Sequence, residues 1–197
     1  MFVCSLTASG QTADQLRAKA LRESSAAAAK GDYAGAASLV ELYAESGDAA
    51  AQNQLAELYL SGGQGLPQDL DMAFSLFSKA AAQGNGSSQR HLAIAYEKGQ
   101  GVAADPAMAQ KWYLRAAGRG DSLAQLAVGK MYASGKGLPQ DYVQAYKWLT
   151  LASSGSSADT EKELHDDALM NRTAIASKMA SSQISSAQKL VREWTPQ

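Results

Sequence analysis

Few residues in this chain have types and spacings that could do chemistry. Ser186-Ala187-Gln188-Lys189 sets a hydroxyl and an amine three residues apart, the Ser-x-x-Lys spacing that lets a lysine activate a serine for acylation. That chemistry needs a Lys-Thr-Gly or Ser-Asp-Asn element to complete it, and the sequence has neither. Ser61-Gly62-Gly63-Gln64-Gly65 and Ser134-Gly135-Lys136-Gly137 look superficially like phosphate-cradling loops. A phosphate loop follows a strand and ends in Gly-Lys-Ser/Thr at a helix start, and neither segment meets this description. The two histidines, His91 and His165, lie in different regions without metal-ligand spacing, and Asp166-Asp167 reads as a solvated helix face. Each of these signals is one half of a catalytic device. The expectation is a chain without catalytic residues, cofactor or metal.

Composition points the same way. The chain has 197 residues, 46% hydrophobic but only 7% aromatic, with 39 alanines. Alanine is the best helix former and lets helices approach closely, so the balance favours thin layers of helices over a thick globular core. Net charge is -1 with no basic stripe, which argues against nucleic acid as a partner. One cysteine, Cys4, excludes an intrachain disulfide framework, and no apolar run is long enough to span a bilayer. Met1–Leu6 is apolar and Ala8-Ser9-Gly10 has small residues at alternate positions, but the first positive residue is Arg17. Residues 1–11 are therefore either a signal-peptide remnant or a disordered tail. The first reading implies a periplasmic or secreted protein, the second a cytoplasmic one.

What must position these residues is a repeat. Gly65, Gly101 and Gly137 are spaced by 36, as are Asp69, Asp105 and Asp141, and Ala73, Ala109 and Ala145. A fixed period of this size signals a helical solenoid, whose units bury their apolar faces against neighbours. Within a unit, Leu55 and Tyr59 share one helix face, and Ala73, Leu76, Phe77, Ala80 and Ala81 follow the 3, 4, 7, 8 spacing of a second amphipathic helix. Glycines between them suit a helix end, and the repeated aspartates sit where the second helix needs an N-cap. Tyr59, Tyr96 and Tyr132 recur on the first helix and are expected to be buried; Trp112 and Trp148 recur on the second and are expected in the core. The fold class is all-α, an α/α solenoid of antiparallel helix pairs. A degenerate N-terminal unit spans 12–47, full repeats span 48–85, 86–121 and 122–155, and a helical cap spans 156–197. In the cap, Asp159 or Thr160 is expected to start a helix over 161–178. Ser181 or Ser182 is expected to start another, with Ile184, Ala187, Leu190, Val191 and Trp194 on one face. Ser153–Ser157 reads as a polar linker.

The run Ala-x3-Leu-Ala-x2-Tyr, Gly-x-Gly-Leu/Val-x2-Asp and x3-Ala-x2-Trp-Tyr-x2-Ala-Ala-x2-Gly resembles the Sel-like repeat, a relative of the tetratricopeptide repeat with a longer glycine-rich turn. Residues 92–120 match best, while Leu76-Phe77 and Trp148-Leu149 depart from Trp-Tyr. The resemblance implies a non-catalytic scaffold, adaptor or regulator that binds one or more proteins. A cysteine-rich branch of that family has been linked to β-lactam binding, but this chain lacks its cysteines. Two other readings stay open: an enzyme or binder acting on cell-wall or β-lactam-like ligands through Ser186, and a self-associating structural component.

In two-helix solenoids the first helix of each unit lines the concave side. The non-repeating positions there are Gln54, Glu57 and Leu60, then Arg90, His91, Ile94 and Glu97, then Lys130, Met131 and Ala133. Their mixture of polar and apolar types suits a peptide or protein groove in which a few apolar anchors carry the energy. On this reading, changing Arg90 and Ile94 to Glu abolishes partner capture and leaves helicity intact.

Overall fold

The computed structural model describes residues 12–155 and 162–196. The segment 1–11 and the proposed caps Asp159 and Thr160 lie outside the described residues. Ten helices follow in order among the described residues: α1 (Ala13–Ala29), α2 (Tyr33–Glu45), α3 (Ala49–Ser61), α4 (Leu70–Ala82), α5 (Gly86–Lys98), α6 (Pro106–Gly118), α7 (Ser122–Ser134), α8 (Tyr142–Gly155), α9 (Lys162–Ala176) and α10 (Ser181–Arg192). They form helix pairs of an α/α solenoid in two compact units, one holding α1–α4 with Gln100–Val102 and the other α5–α10.

Aspartates punctuate the chain. The carboxylates of Asp32, Asp48, Asp69 and Asp121 each accept the backbone N–H three residues on, at 2.8 Å. Asp105 and Asp141 do the same for α6 and α8 with two N–H groups each. Such a cap satisfies a donor that the helix start leaves orphaned and contributes about 1 kcal/mol. In the repeats the same residue also closes the turn. The N–H groups of Asp69, Asp105 and Asp141 donate to the carbonyls of Tyr59, Tyr96 and Tyr132 at 2.9, 2.8 and 3.0 Å. The recurring tyrosines thus anchor the turn through their backbone, and their rings are half-buried, not buried as expected. Gly135 ends α7 in the left-handed conformation, with its N–H on the Met131 carbonyl.

The cores are thin and alanine-rich. In the first unit Ala36, Val40, Ala51, Ala56 and Ala80 have no exposed surface. In the second, Ala93, Tyr113, Ala116, Ala117, Ala124, Val128, Leu138, Trp148 and Leu151 form one cluster. Trp148 is buried as expected; Trp112 is half-buried at the edge of that cluster, with the Arg115 guanidinium 4.7 Å above its ring. Leu126, Ala145, Leu149, Ala152, Ala168 and Ile175 form a second cluster. Gly129 lies where α7 meets α8: a Cβ there would come within 2.7 Å of Leu149 Cγ.

The C-terminal helices pack on α8. Residues 184, 187, 190, 191 and 194 are the ones withdrawn from solvent in α10 and its tail, as their spacing implies. Two expectations fail locally. α8 continues as helix through Gly155, into the segment read as a linker. Ala180, not Ser181 or Ser182, is the N-cap of α10, and its exposed N–H is taken by Gln183 Oε1 at 2.9 Å.

Candidate functional site

α7 presents an outward stripe in the second unit. Leu123, Ala127, Lys130 and Ser134 are spaced by four, three and four residues and so share one helix face. A cleft lies along each side of it. The larger, about 660 Å³, is lined by Arg90 of α5, Gly120 and Asp121 of the turn, Leu123 and Leu126 of α7, and Glu163, Leu164 and Asp167 of α9. The smaller, about 380 Å³, is walled by Glu97, Pro106, Tyr113, Lys130, Met131 and Lys136.

Capping and ion pairing shape the larger cleft. Asp121 caps α7 with one carboxylate oxygen and accepts the Arg90 Nε at 3.1 Å with the other. Both side chains are mostly buried, at 16% and 13% exposed. Arg90 also reaches Ser87 Oγ and lies against the His91 ring. Across the cleft, Lys130 Nζ meets Asp167 at 2.6 Å, and Asn171 donates to the same aspartate. Glu163 is exposed and has no ion-pair partner among the described residues. In the smaller cleft the Tyr113 hydroxyl donates to Glu97 at 2.9 Å. Burial pushes that hydroxyl well above the ordinary tyrosine range, and the neighbouring Glu97 charge adds to the effect.

The expected binding residues therefore divide. Glu97, Lys130 and Met131 line one cleft together, and Arg90 lines the other. Ile94 and Met131 pack against the core cluster of their unit while keeping some exposed surface. In the first unit Gln54 is engaged in structure, donating to the Leu21 carbonyl and to Ser25 Oγ, both at 3.0 Å. Glu57 accepts from Asn53, and Leu60 is half-buried. His91 is half-buried on α5. His165 sits on α9 with Nδ1 2.8 Å from the Ser153 carbonyl. Ser186 Oγ donates to the Ser182 carbonyl and Lys189 Nζ lies 3.8 Å from Glu193, so neither group of the Ser-x-x-Lys run is aimed at the other.

Sequence reading missed the ion pair because it spans helices. Arg17–Asp48 in the first unit and Arg90–Asp121 in the second are the same device, an arginine five residues into one first helix and the N-cap aspartate 31 residues on. That recurrence was the available signal. Also missed were Gln52, Gln89 and Gln125, buried glutamines at one register; Gln52 and Gln125 donate to the carbonyls of Ala44 and Ala117, near the end of the preceding helix.

A family model described as the Sel1 repeat matches residues 49–85, 86–121 and 122–157. The chain belongs to the Sel1 repeat family. Solved Sel1 repeat structures are similar to this chain. One is c5321, a protective antigen of uropathogenic Escherichia coli strains displaying an SLR fold. It is 29% identical with a TM-score of 0.67, over 90% of this chain and 40% of that one. Another, a Sel1 repeat protein from Oxalobacter formigenes, is 33% identical with a TM-score of 0.56, over 60% of this chain and 90% of that one. This chain thus spans less than half of the E. coli protein. No curated protein sequence matches the chain. Sel1 repeats typically mediate contacts between proteins. Among the described residues no helix is long and apolar enough to cross a membrane.

Proposed function

We propose that this Sel1 repeat protein is a non-catalytic scaffold that holds another protein on the faces of its first helices, with α7 at the centre of the working surface. The observation that carries this reading is the outward stripe of α7. It leaves Leu123 51% exposed between two clefts, in a unit whose other leucines are largely withdrawn into the packing. A large exposed apolar side chain beside concave surface is the arrangement that supplies an interface with its anchor. The stripe also joins the two groups of candidate residues, since Lys130 lines one cleft and its ammonium reaches Asp167 of the other.

The geometry changes how the reading is tested. Arg90 holds the α7 cap and Ile94 packs on the core, so a double change to Glu there would disturb folding as well as binding. Leu123→Glu leaves both untouched. Immobilised wild type, Leu123→Glu and Leu42→Glu are compared in capture from the native host by quantitative mass spectrometry. Leu42 is a still more exposed leucine of α2, at 72%, and controls for nonspecific adhesion. A protein retained by wild type and Leu42→Glu but lost with Leu123→Glu is the expected result. Equal retention by all three would remove α7 from the interface, and no retention by any would count against the scaffold.

A further inference from the structure

The larger cleft recurs at the same register in the first unit, and the comparison shows which of its features come from the repeat. There a cleft of about 680 Å³ is lined by Arg17, Ser46, Gly47, Asp48, Ala49 and Ala50, with Gln83–Asn85 on the far side. The arginine, the glycine and the capping aspartate are common to both, and they follow from how one first helix meets the next. The side chains around that frame differ. Counting from the N-cap, the second residue is Ala50 in α3, Ser87 in α5 and Leu123 in α7. The fifth is Asn53, Arg90 and Leu126. α9 then adds Leu164 as apolar wall and Glu163 and Asp167 as acid.

We infer that the cleft between α7 and α9 takes an extended segment of the partner protein in which a lysine or arginine stands beside an apolar residue. The inference rests on the scaffold reading and names the chemistry of its partner. Leu123, Leu126 and Leu164 offer an apolar floor, with Leu123 half exposed and Leu126 nearly buried. Around it stand three carboxylates, and only Arg90 among the lining residues is cationic. Asp121 is answered by Arg90 and Asp167 by Lys130, which leaves the exposed carboxylate of Glu163 one turn from Asp167 to receive an incoming cation. Met170, 67% exposed, lies one further turn along α9 and extends the apolar surface beyond the acid. A cationic head on an aliphatic stem matches this alternation. The stem covers the leucines and the head stays at the wet, acidic rim. An acidic segment would place like charge against Glu163.

The test selects from a phage-displayed library of random linear 12-residue peptides on the full chain. Enriched peptides are then made synthetically and measured by fluorescence anisotropy on wild type, Glu163→Lys, Leu123→Glu and Lys136→Glu. Unchanged far-ultraviolet circular dichroism and melting temperature qualify each variant. The expected result is enrichment of peptides with Lys or Arg next to Leu, Ile, Val, Met or Phe. Their binding should weaken at least tenfold with Glu163→Lys and with Leu123→Glu, stay within twofold with Lys136→Glu of the other cleft, and fall between 50 and 500 mM salt. Enrichment of peptides without a basic residue, or of basic ones indifferent to Glu163→Lys, overturns the inference and leaves the scaffold reading standing. Binding lost only with Lys136→Glu moves the segment to the smaller cleft and likewise overturns it. Failure to enrich any peptide overturns the inference; whether the scaffold falls with it is read from the host capture experiment, which does not depend on a linear segment.

Discussion

Asp121 shows how one carboxylate can serve several ends. It caps α7, holds Arg90 of the neighbouring first helix and forms the lip of the larger cleft. Those roles can be separated. Asparagine caps as well as aspartate, so Asp121→Asn removes only the ion pair; it leaves the mostly buried Arg90 guanidinium without its acceptor and should cost about 2 kcal/mol. Asp121→Ala strands the guanidinium in the same way and removes the cap as well, for a loss of about 3 kcal/mol. Asp32→Ala, where the cap is an exposed Asp32–Gly35 bond, should cost about 1 kcal/mol. Urea unfolding followed by circular dichroism orders the three. Equal losses for the Asn and Ala variants at position 121 would mean that the ion pair carries the whole effect and the cap none.

At the scale of the element, Gly129 and Asp48 make different demands. Glycine inside a helix sacrifices about 1 kcal/mol against alanine, so Gly129→Ala would stabilise α7 if the site were open. It faces Leu149 too closely for a Cβ, and the contact involves the branch point of a buried side chain that cannot swing away. Net destabilisation of about 1–3 kcal/mol is expected, and a raised melting temperature would show that α8 can yield. For Asp48, burial raises the carboxyl's pKa. The Ala51 N–H and the Arg17 guanidinium outweigh this and hold it below the ordinary aspartate value. Because the folded-state value is the lower one, the stabilisation is fully present above about pH 4 and is lost as pH falls through the folded value. Asp48→Asn, which keeps the cap, should flatten the acid side of the stability curve, and an unchanged slope between pH 5 and 3 would refute the pairing. These elements also mark the limit of what the sequence discloses. The starts of α4, α6 and α8 were legible because an aspartate before an apolar run has one good use. The α10 start was not, because Gln183 serves Ala180 in a way no capping residue announces. The period was legible, and with it that Glu97, Lys130 and Met131 stand on first helices. Which of the named residues already hold the structure was not legible. Gln54 and Arg90 look like free polar positions until the carbonyl of Leu21 and the carboxylate of Asp121 are seen beside them.

Across the whole molecule, the repeat makes stability a sum of neighbouring interfaces, so a lesion should be felt by its own neighbours. α10 offers a direct examination of this. Its Val191 and, in the tail just after it, Trp194 pack against the core cluster of the second unit, and the Trp194 ring lies close to Gly120, at the turn that leads into α7. That helix therefore holds part of the frame of the cleft as well as closing an apolar edge. Trp194→Ala removes a large aromatic that is only half-buried, so the cost should be about 2–3 kcal/mol, at or below the lower end of the range for full burial. Hydrogen exchange read by mass spectrometry can locate the loss. Protection should fall in α6, α7, α8 and α10, while α1 to α3 exchange as before. An equal fall in all helices would mean that the chain unfolds as one cooperative body. In that case the side chains of the α7–α9 cleft could not be tuned without taxing the stability of every repeat.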